Sequence, residues 1–179
     1  MSIFVQVVAE ALARDYADNE VPISLNRICE SRNIRMQTLV PEVDYPFLEE
    51  TDFAKESTNS LDRVEGFASL TPSGKKYIKV RAEKMSLEHL RFVAAHEIAH
   101  HELNHLALGD TLMSLRSDSH QTKTQKRELQ ADEFARHLLV PCSVLKYYVR
   151  ELDIIDEIEL AKIFCVEKDV MIQRFIETF

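Results

Sequence analysis

Glycine is scarce in this chain, 3 residues in 179, and there are 5 prolines. That excludes a glycine-rich barrel or sandwich and favours a helix-dominated fold. Cysteine is nearly as rare. Cys29, Cys142 and Cys165 are far apart, odd in number and form no CxxC pair. Neither a cysteine zinc site nor a disulfide framework is expected, and free thiols suit a reducing compartment. Basic charge is the minority charge, 22 Lys and Arg against 30 Asp and Glu, for a net charge of −8. The chain as a whole repels phosphate, so no direct nucleic-acid partner is expected. Long apolar runs are missing as well. No stretch approaches the roughly 18 apolar residues of a membrane span. The run from Ile3 to Ala13 is broken by Gln6 and Glu10 and lacks a basic flank. It reads as an amphipathic helix rather than a signal peptide. The expectation is a soluble cytoplasmic protein without a membrane partner.

What is present is a chain with 45% hydrophobic and 29% charged residues, a balance that supports a packed core. Its length suits one domain spanning 1–179, with a core over about 22–141 and a C-terminal helical extension over 142–179. Periodicity predicts a helix over 3–18 and a second one capped by Ser24 and running to about Arg32. Ile34 to Val40 reads as a short strand stopped by Pro41, and the polar, acidic stretch 41–60 as a long surface loop. Gly66–Leu70 and Lys76–Arg81 flank Thr71-Pro72-Ser73-Gly74, a hairpin signal. Ser86 can cap a helix reaching about Ala107, with Gly109 placed to end it. A mobile loop is expected around 117–122, then a helix from about Arg127 to Val140, then three short helices. Helices around a small antiparallel sheet make an α+β fold.

The chemistry lies in two of these helices. His96-Glu97-Ile98-Ala99-His100 is an HExxH motif. Residues four apart on a helix lie about 40° apart on one face. Two imidazoles there can share one zinc ion, and the glutamate between them can reach a zinc-bound water. With 7 His and 19 Glu in the chain, the pattern arises by chance roughly 3% of the time, so context must support it. At about 100° per residue, Phe92, Val93, His96, Ala99, His100 and Leu103 share one sector, which turns both histidines toward the interior. His101 and His105 fall on the opposite side, with Ala94 and Ile98, so the helix should be buried nearly all round. Two buried imidazoles beside a glutamate are costly without a partner.

A catalytic zinc usually keeps three protein ligands and one open position. Leu103 and Leu106 exclude the HExxHxxGxxH pattern, and His105, continued on the same helix, points away from His96. The better third ligand is in Glu128-Leu129-Gln130-Ala131-Asp132. The apolar stripe of that helix is Ala131, Phe134, Ala135, Leu138 and Leu139. Glu128 lies about 50° from its centre, Asp132 about 90°, and Glu133 nearly opposite. Glu128 therefore faces inward, Asp132 stands at the margin and Glu133 is expected to face solvent. An ExxxD following HExxH resembles the ligand pattern of thermolysin-like zinc peptidases, the gluzincins. There the Glu binds zinc and the Asp holds a ligand histidine through its other ring nitrogen.

Arg91-Phe92-Val93-Ala94-Ala95-His96-Glu97-Ile98-Ala99-His100, followed by Glu128-Leu129-Gln130-Ala131-Asp132-Glu133-Phe134-Ala135 and Leu138-Leu139-Val140-Pro141, resembles the ImmA/IrrE family of metallopeptidases. The likeness is specific over about 65–141 and looser at Pro22-Ile23-Ser24-Leu25 and in the C-terminal helices. Ala99 stands where the family usually has Gly or Ser, and 41–60 is longer than typical. The resemblance implies a minimal gluzincin-type fold with the sheet packed on the HExxH helix. It implies Zn2+ on His96, His100 and Glu128, Glu97 as general base and then acid, and Asp132 orienting a ligand imidazole. A donor for the tetrahedral oxyanion is also expected. His101, His120, His137, Tyr147 and Tyr148 are the candidates, and the sequence does not rank them.

The implied function is a zinc-dependent endopeptidase that cleaves a helix-turn-helix transcriptional repressor and so derepresses genes. The rival is a regulatory module that binds a repressor or a toxin–antitoxin partner on a peptidase scaffold without proteolysis. An intact Glu97 argues against that rival, because a pure binder needs no general base. Residues 157–177 themselves have a helix-turn-helix look. Four bases against eight acids between Arg150 and Phe179 disfavour DNA binding there.

Overall fold

The computed structural model describes residues 2–17, 21–38, 64–83, 85–115 and 123–179. The 41–60 stretch, the predicted loop over 117–122 and His120 lie outside them. The elements run α1 (Ile3–Ala17), α2 (Leu25–Ser31), β1 (Ile34–Thr38), β2 (Val64–Leu70), β3 (Lys76–Val80), α3 (Leu87–Glu102), β4 (Thr111–Leu115), α4 (Lys123–Leu139), α5 (Cys142–Arg150), α6 (Glu157–Phe164) and α7 (Lys168–Thr178). The fold is a helix-dominated α+β arrangement, as expected. Among the described residues no helix is long and apolar enough to cross a membrane.

The hairpin forms where the turn chemistry places it. Gly74 adopts φ 78°, and the Thr71 hydroxyl accepts the Lys75 N–H at 2.9 Å. β3 pairs antiparallel with β2, and β2 with β4, with a register irregularity between Val64 and Gly66. The sheet order is β1-β3-β2-β4. It is mixed rather than purely antiparallel, because β1 joins β3 in parallel, Ile34 opposite Lys76 and Thr38 opposite Val80. A hairpin loop enforces antiparallel pairing. The long connection leaving β1 imposes no direction, so the packing of α2 against β1 and α3 decides it. β4 has a second departure to explain. Gly109, at φ 88°, does not end a helix; its N–H docks on the Leu70 carbonyl and starts the pairing of β4 with β2.

Ser86 caps α3 through the His89 N–H, as Ser24 caps α2 through Arg27. The sheet covers one side of α3 through β2 and β3, and α4 covers another. Every residue from Val93 to His101 is consequently buried. α3 ends at Glu102, five residues short of the expected Ala107. Asn104 takes the left-handed conformation at φ 54°, the Asn104 N–H donates to the His101 carbonyl, and the His105 N–H donates to the His100 carbonyl at 2.9 Å. That is a Schellman termination, for which asparagine is the usual substitute for glycine.

α4 begins at Lys123, about one turn earlier than expected, and its first turn carries no acid. Bases at a helix N-terminus oppose the dipole, so the basic run hid the start of this helix. α1 packs along the outer side of α4. Its N-terminal Ser2 N–H donates to the Glu133 carboxylate at 2.9 Å, and Glu133 is 8% exposed. The expectation of a solvent-facing Glu133 is therefore corrected: the far face of α4 is covered by a helix from the other end of the chain. Three C-terminal helices close the structure. Arg174 of α7, buried, donates to the Val140 carbonyl and to the carboxylates of Glu10 and Glu177. Glu10 also accepts the Cys142 N–H at the start of α5 and faces His137 Nδ1 at 3.2 Å. This buried knot joins α1, α4, α5 and α7.

Candidate metal centre

His96 and His100 lie one turn apart on α3, and α4 brings Glu128 to face them. The two Nε2 atoms are 3.1 Å apart, Glu128 Oε2 is 3.1 Å from His96 Nε2, and Glu128 Oε1 is 3.7 Å from His100 Nε2. The three residues form a group able to hold a metal ion. Tetrahedral zinc with ligands at 2.0–2.1 Å places its donor atoms about 3.3 Å from one another. The spacing fits that ion, and two nitrogens with one carboxylate oxygen suit its chemistry. His96 and His100 are fully packed, while Glu128 is partly open.

Two outer contacts hold the imidazoles. His96 Nδ1–H donates to Asp132 Oδ1 at 2.8 Å, one turn after Glu128 on the same helix face. His100 Nδ1 meets His105 Nδ1 at 3.0 Å. The expectation that His105 points away from the site is corrected. It assumed a helix running through 105, whereas the termination at Asn104 folds His105 back over the last turn. The signal was present in the sequence as an asparagine directly after Leu103, the residue that caps the helix.

Glu97 is fully buried, and neither of its carboxylate oxygens has a hydrogen-bond partner among the described residues. Burial pushes this carboxyl up to about 8; the nearby His96 charge opposes the shift and Glu128 adds to it. Burial pulls the His96 imidazolium down, but Asp132, Glu128 and Glu97 outweigh it and hold it up to about 10. His100 goes the other way, down to about 2, because of burial and the positive charge of His96 beside it.

Gly66 of β2 passes directly over Glu97. A Cβ at position 66 would lie 3.0 Å from Glu97 Oε1, 2.8 Å from Val93 Cγ1 and 3.1 Å from the Lys79 carbonyl oxygen. The bare backbone there lets the strand approach the helix at the glutamate. At a strand end Gly66 would be ordinary; inside β2 a glycine is a sign of close approach.

The oxyanion candidates are elsewhere. His101 is buried against the sheet with Nε2 3.0 Å from the Tyr77 carbonyl. His137 is occupied by Glu10. Tyr148 packs on Phe164, and Tyr147 on Tyr148. None of these four hydrogen-bonds to His96, His100 or Glu128.

A family model described as the IrrE N-terminal-like domain, a peptidase family, matches residues 50–175. The chain belongs to the IrrE N-terminal-like family. Comparison with curated proteins finds no match. Membership supports a metallopeptidase-type function, and the IrrE-like match spans both helices of the His96, His100 and Glu128 group.

Proposed function

We propose that this IrrE-like chain is a zinc-dependent endopeptidase, and that its substrate is a helix-turn-helix transcriptional repressor. One observation supports the enzymatic part above all. A buried glutamate whose two oxygens have no hydrogen-bond partner among the described residues stands in the chain between two histidines that, with a third donor, match the spacing of a zinc ligand set. A binding module gains nothing from an orphaned buried carboxyl, which costs free energy. The repressor as substrate rests on the resemblance of the two motif helices to ImmA/IrrE proteins.

His96, His100 and Glu128 would hold the zinc, in the manner of the gluzincins. When bound, zinc supplies Lewis-acid polarisation of a water and of the scissile carbonyl. Glu97 would take the proton of the attacking water on a carboxylate oxygen and return it to the departing amide nitrogen. A carboxyl whose proton affinity is raised toward neutrality is suited to both transfers. Asp132 keeps the proton of His96 on Nδ1, so that Nε2 presents its lone pair. A cytoplasmic setting follows from the same reading.

The test is incubation of zinc-loaded wild type and Glu97→Gln with purified helix-turn-helix repressors, fragments being read by mass spectrometry. Cleavage by wild type alone, with equal zinc in both proteins, supports the proposal. Equal cleavage by Glu97→Gln sinks the mechanism. Stable association with an intact repressor in both proteins would favour the non-proteolytic regulator.

A further inference from the structure

His105 has no role in the chemistry above, yet it is buried, lies outside any helix and touches a proposed ligand. Its position is built, not incidental. The Schellman turn at Asn104 reverses the chain, the His105 N–H is tied to the His100 carbonyl at 2.9 Å, and the two rings meet edge to face with centroids 5.1 Å apart. Gln130 of α4 lines the same cleft as His105. His105 therefore lies where the end of the HExxH helix meets the helix that supplies Glu128.

The direction of the 3.0 Å contact follows from the donor inventory of imidazole. A neutral histidine that offers the Nε2 lone pair to a metal carries its proton on Nδ1. The Nδ1–H of His100 points at His105 Nδ1, which must then accept, leaving the His105 proton on Nε2. His96 has a carboxylate in this supporting role; His100 has a second imidazole. A carboxylate on each histidine would add a second negative charge to a site that already contains Glu97 and Glu128. A neutral acceptor orients the ring without that charge.

We propose that His105 is the positioning residue for His100: by accepting the Nδ1–H of His100 it fixes that ring's tautomer and aims Nε2 at the other two donors. This rests on the zinc-site reading above. Loss of such a partner typically weakens metal binding by about 10–100-fold.

The experiment measures zinc affinity by competition with a chromophoric chelator for wild type, His105→Phe and His105→Asn. Phenylalanine keeps the ring but offers no acceptor; the asparagine side-chain oxygen can take the place of Nδ1. The expected result is zinc binding by wild type near one per chain, affinity about 10–100-fold weaker in His105→Phe, and recovery to within about threefold in His105→Asn. The nitrogen NMR spectrum of the zinc-loaded wild type should show His100 protonated at Nδ1 and His105 at Nε2, a readout that does not depend on either variant folding. A folded His105→Phe with wild-type affinity, or the opposite tautomers in wild type, overturns the role of His105 alone. A folded wild type that binds no zinc overturns the site reading and the role of His105 with it.

Discussion

Replacing Gly66 by alanine should damage both the fold and the chemistry, through the same methyl group. The added Cβ would stand 2.8 Å from Val93 Cγ1, 3.0 Å from Glu97 Oε1 and 3.1 Å from the Lys79 carbonyl oxygen. The carbonyl belongs to the paired strand β3 and cannot retreat, and Val93 is buried in the core. The strain of such overpacking is about 1–3 kcal/mol. Against it, alanine reduces the freedom of the unfolded chain, which stabilises by about 0.4–1 kcal/mol. The net loss is about 1–2 kcal/mol, and for a chain of this size about 2–4 °C of Tm accompanies each kcal/mol. The expected fall is therefore about 2–8 °C, measured by thermal unfolding of metal-free protein. The contact on Glu97 has a separate consequence. None of the three nearest atoms belongs to His96, His100 or Glu128, so zinc content should stay near that of wild type, whereas an ångström of displacement of Glu97, the proposed general base, costs about 100-fold in turnover. Val93→Ala in the Gly66→Ala background removes the tightest contact and should return part of the lost stability. Unchanged Tm together with unchanged cleavage would refute the close approach of β2 to Glu97 as the reason for a glycine there.

Metal affinity should rise with pH. His96 without metal is held protonated up to about 10, against an ordinary 6.5, so binding must expel a proton. Between pH 6.5 and 8.5 the affinity should increase about tenfold per unit, with proton release visible as a dependence of the calorimetric enthalpy on buffer; a flat profile would contradict this. The linkage also sets the stability of the metal-free protein. The raised pKa values of His96 and Glu97 contribute stability that is present at low pH and lost as pH climbs through their folded values, about 8 for Glu97 and about 10 for His96. Arg174→Met should destabilise by about 3 kcal/mol, because it strips the Val140 carbonyl, Glu10 and Glu177 of a buried cation. The Tm of metal-free protein should fall by about 6–12 °C, and a fall below 2 °C would mean that the knot is held without it.

The local signals carried most of the elements. Ser24 and Ser86 as caps, Thr71 to Gly74 as a hairpin turn and Pro141 as a stop all describe the fold as observed. The errors share a cause. Glycine is the commonest helix terminator, which makes Gly109 the expected end, yet Asn104 terminates the helix. Lys123, Lys126 and Arg127 are poor helix-opening residues, so the local signals point to a later start of α4 than the structure has. Parallel pairing of β1 with β3 has no local signature at all.

For the site, helical phase alone turned His96, His100 and Glu128 inward and set Asp132 at the margin, because side chains separated by one turn share a face whatever surrounds the helix. The sequence therefore determined the content of the donor set and the identity of the carboxylate between the histidines. Only the tertiary structure decided what lies beyond that face. It brought α4 against α3 so that two helices make one site, buried Glu133 beneath α1, and folded His105 back onto His100. It also laid the bare backbone of Gly66 over Glu97. Each of these depends on contacts between segments that periodicity treats separately. A pattern read along one helix reports which way a residue points, while what it meets is decided by the packing of the rest of the chain.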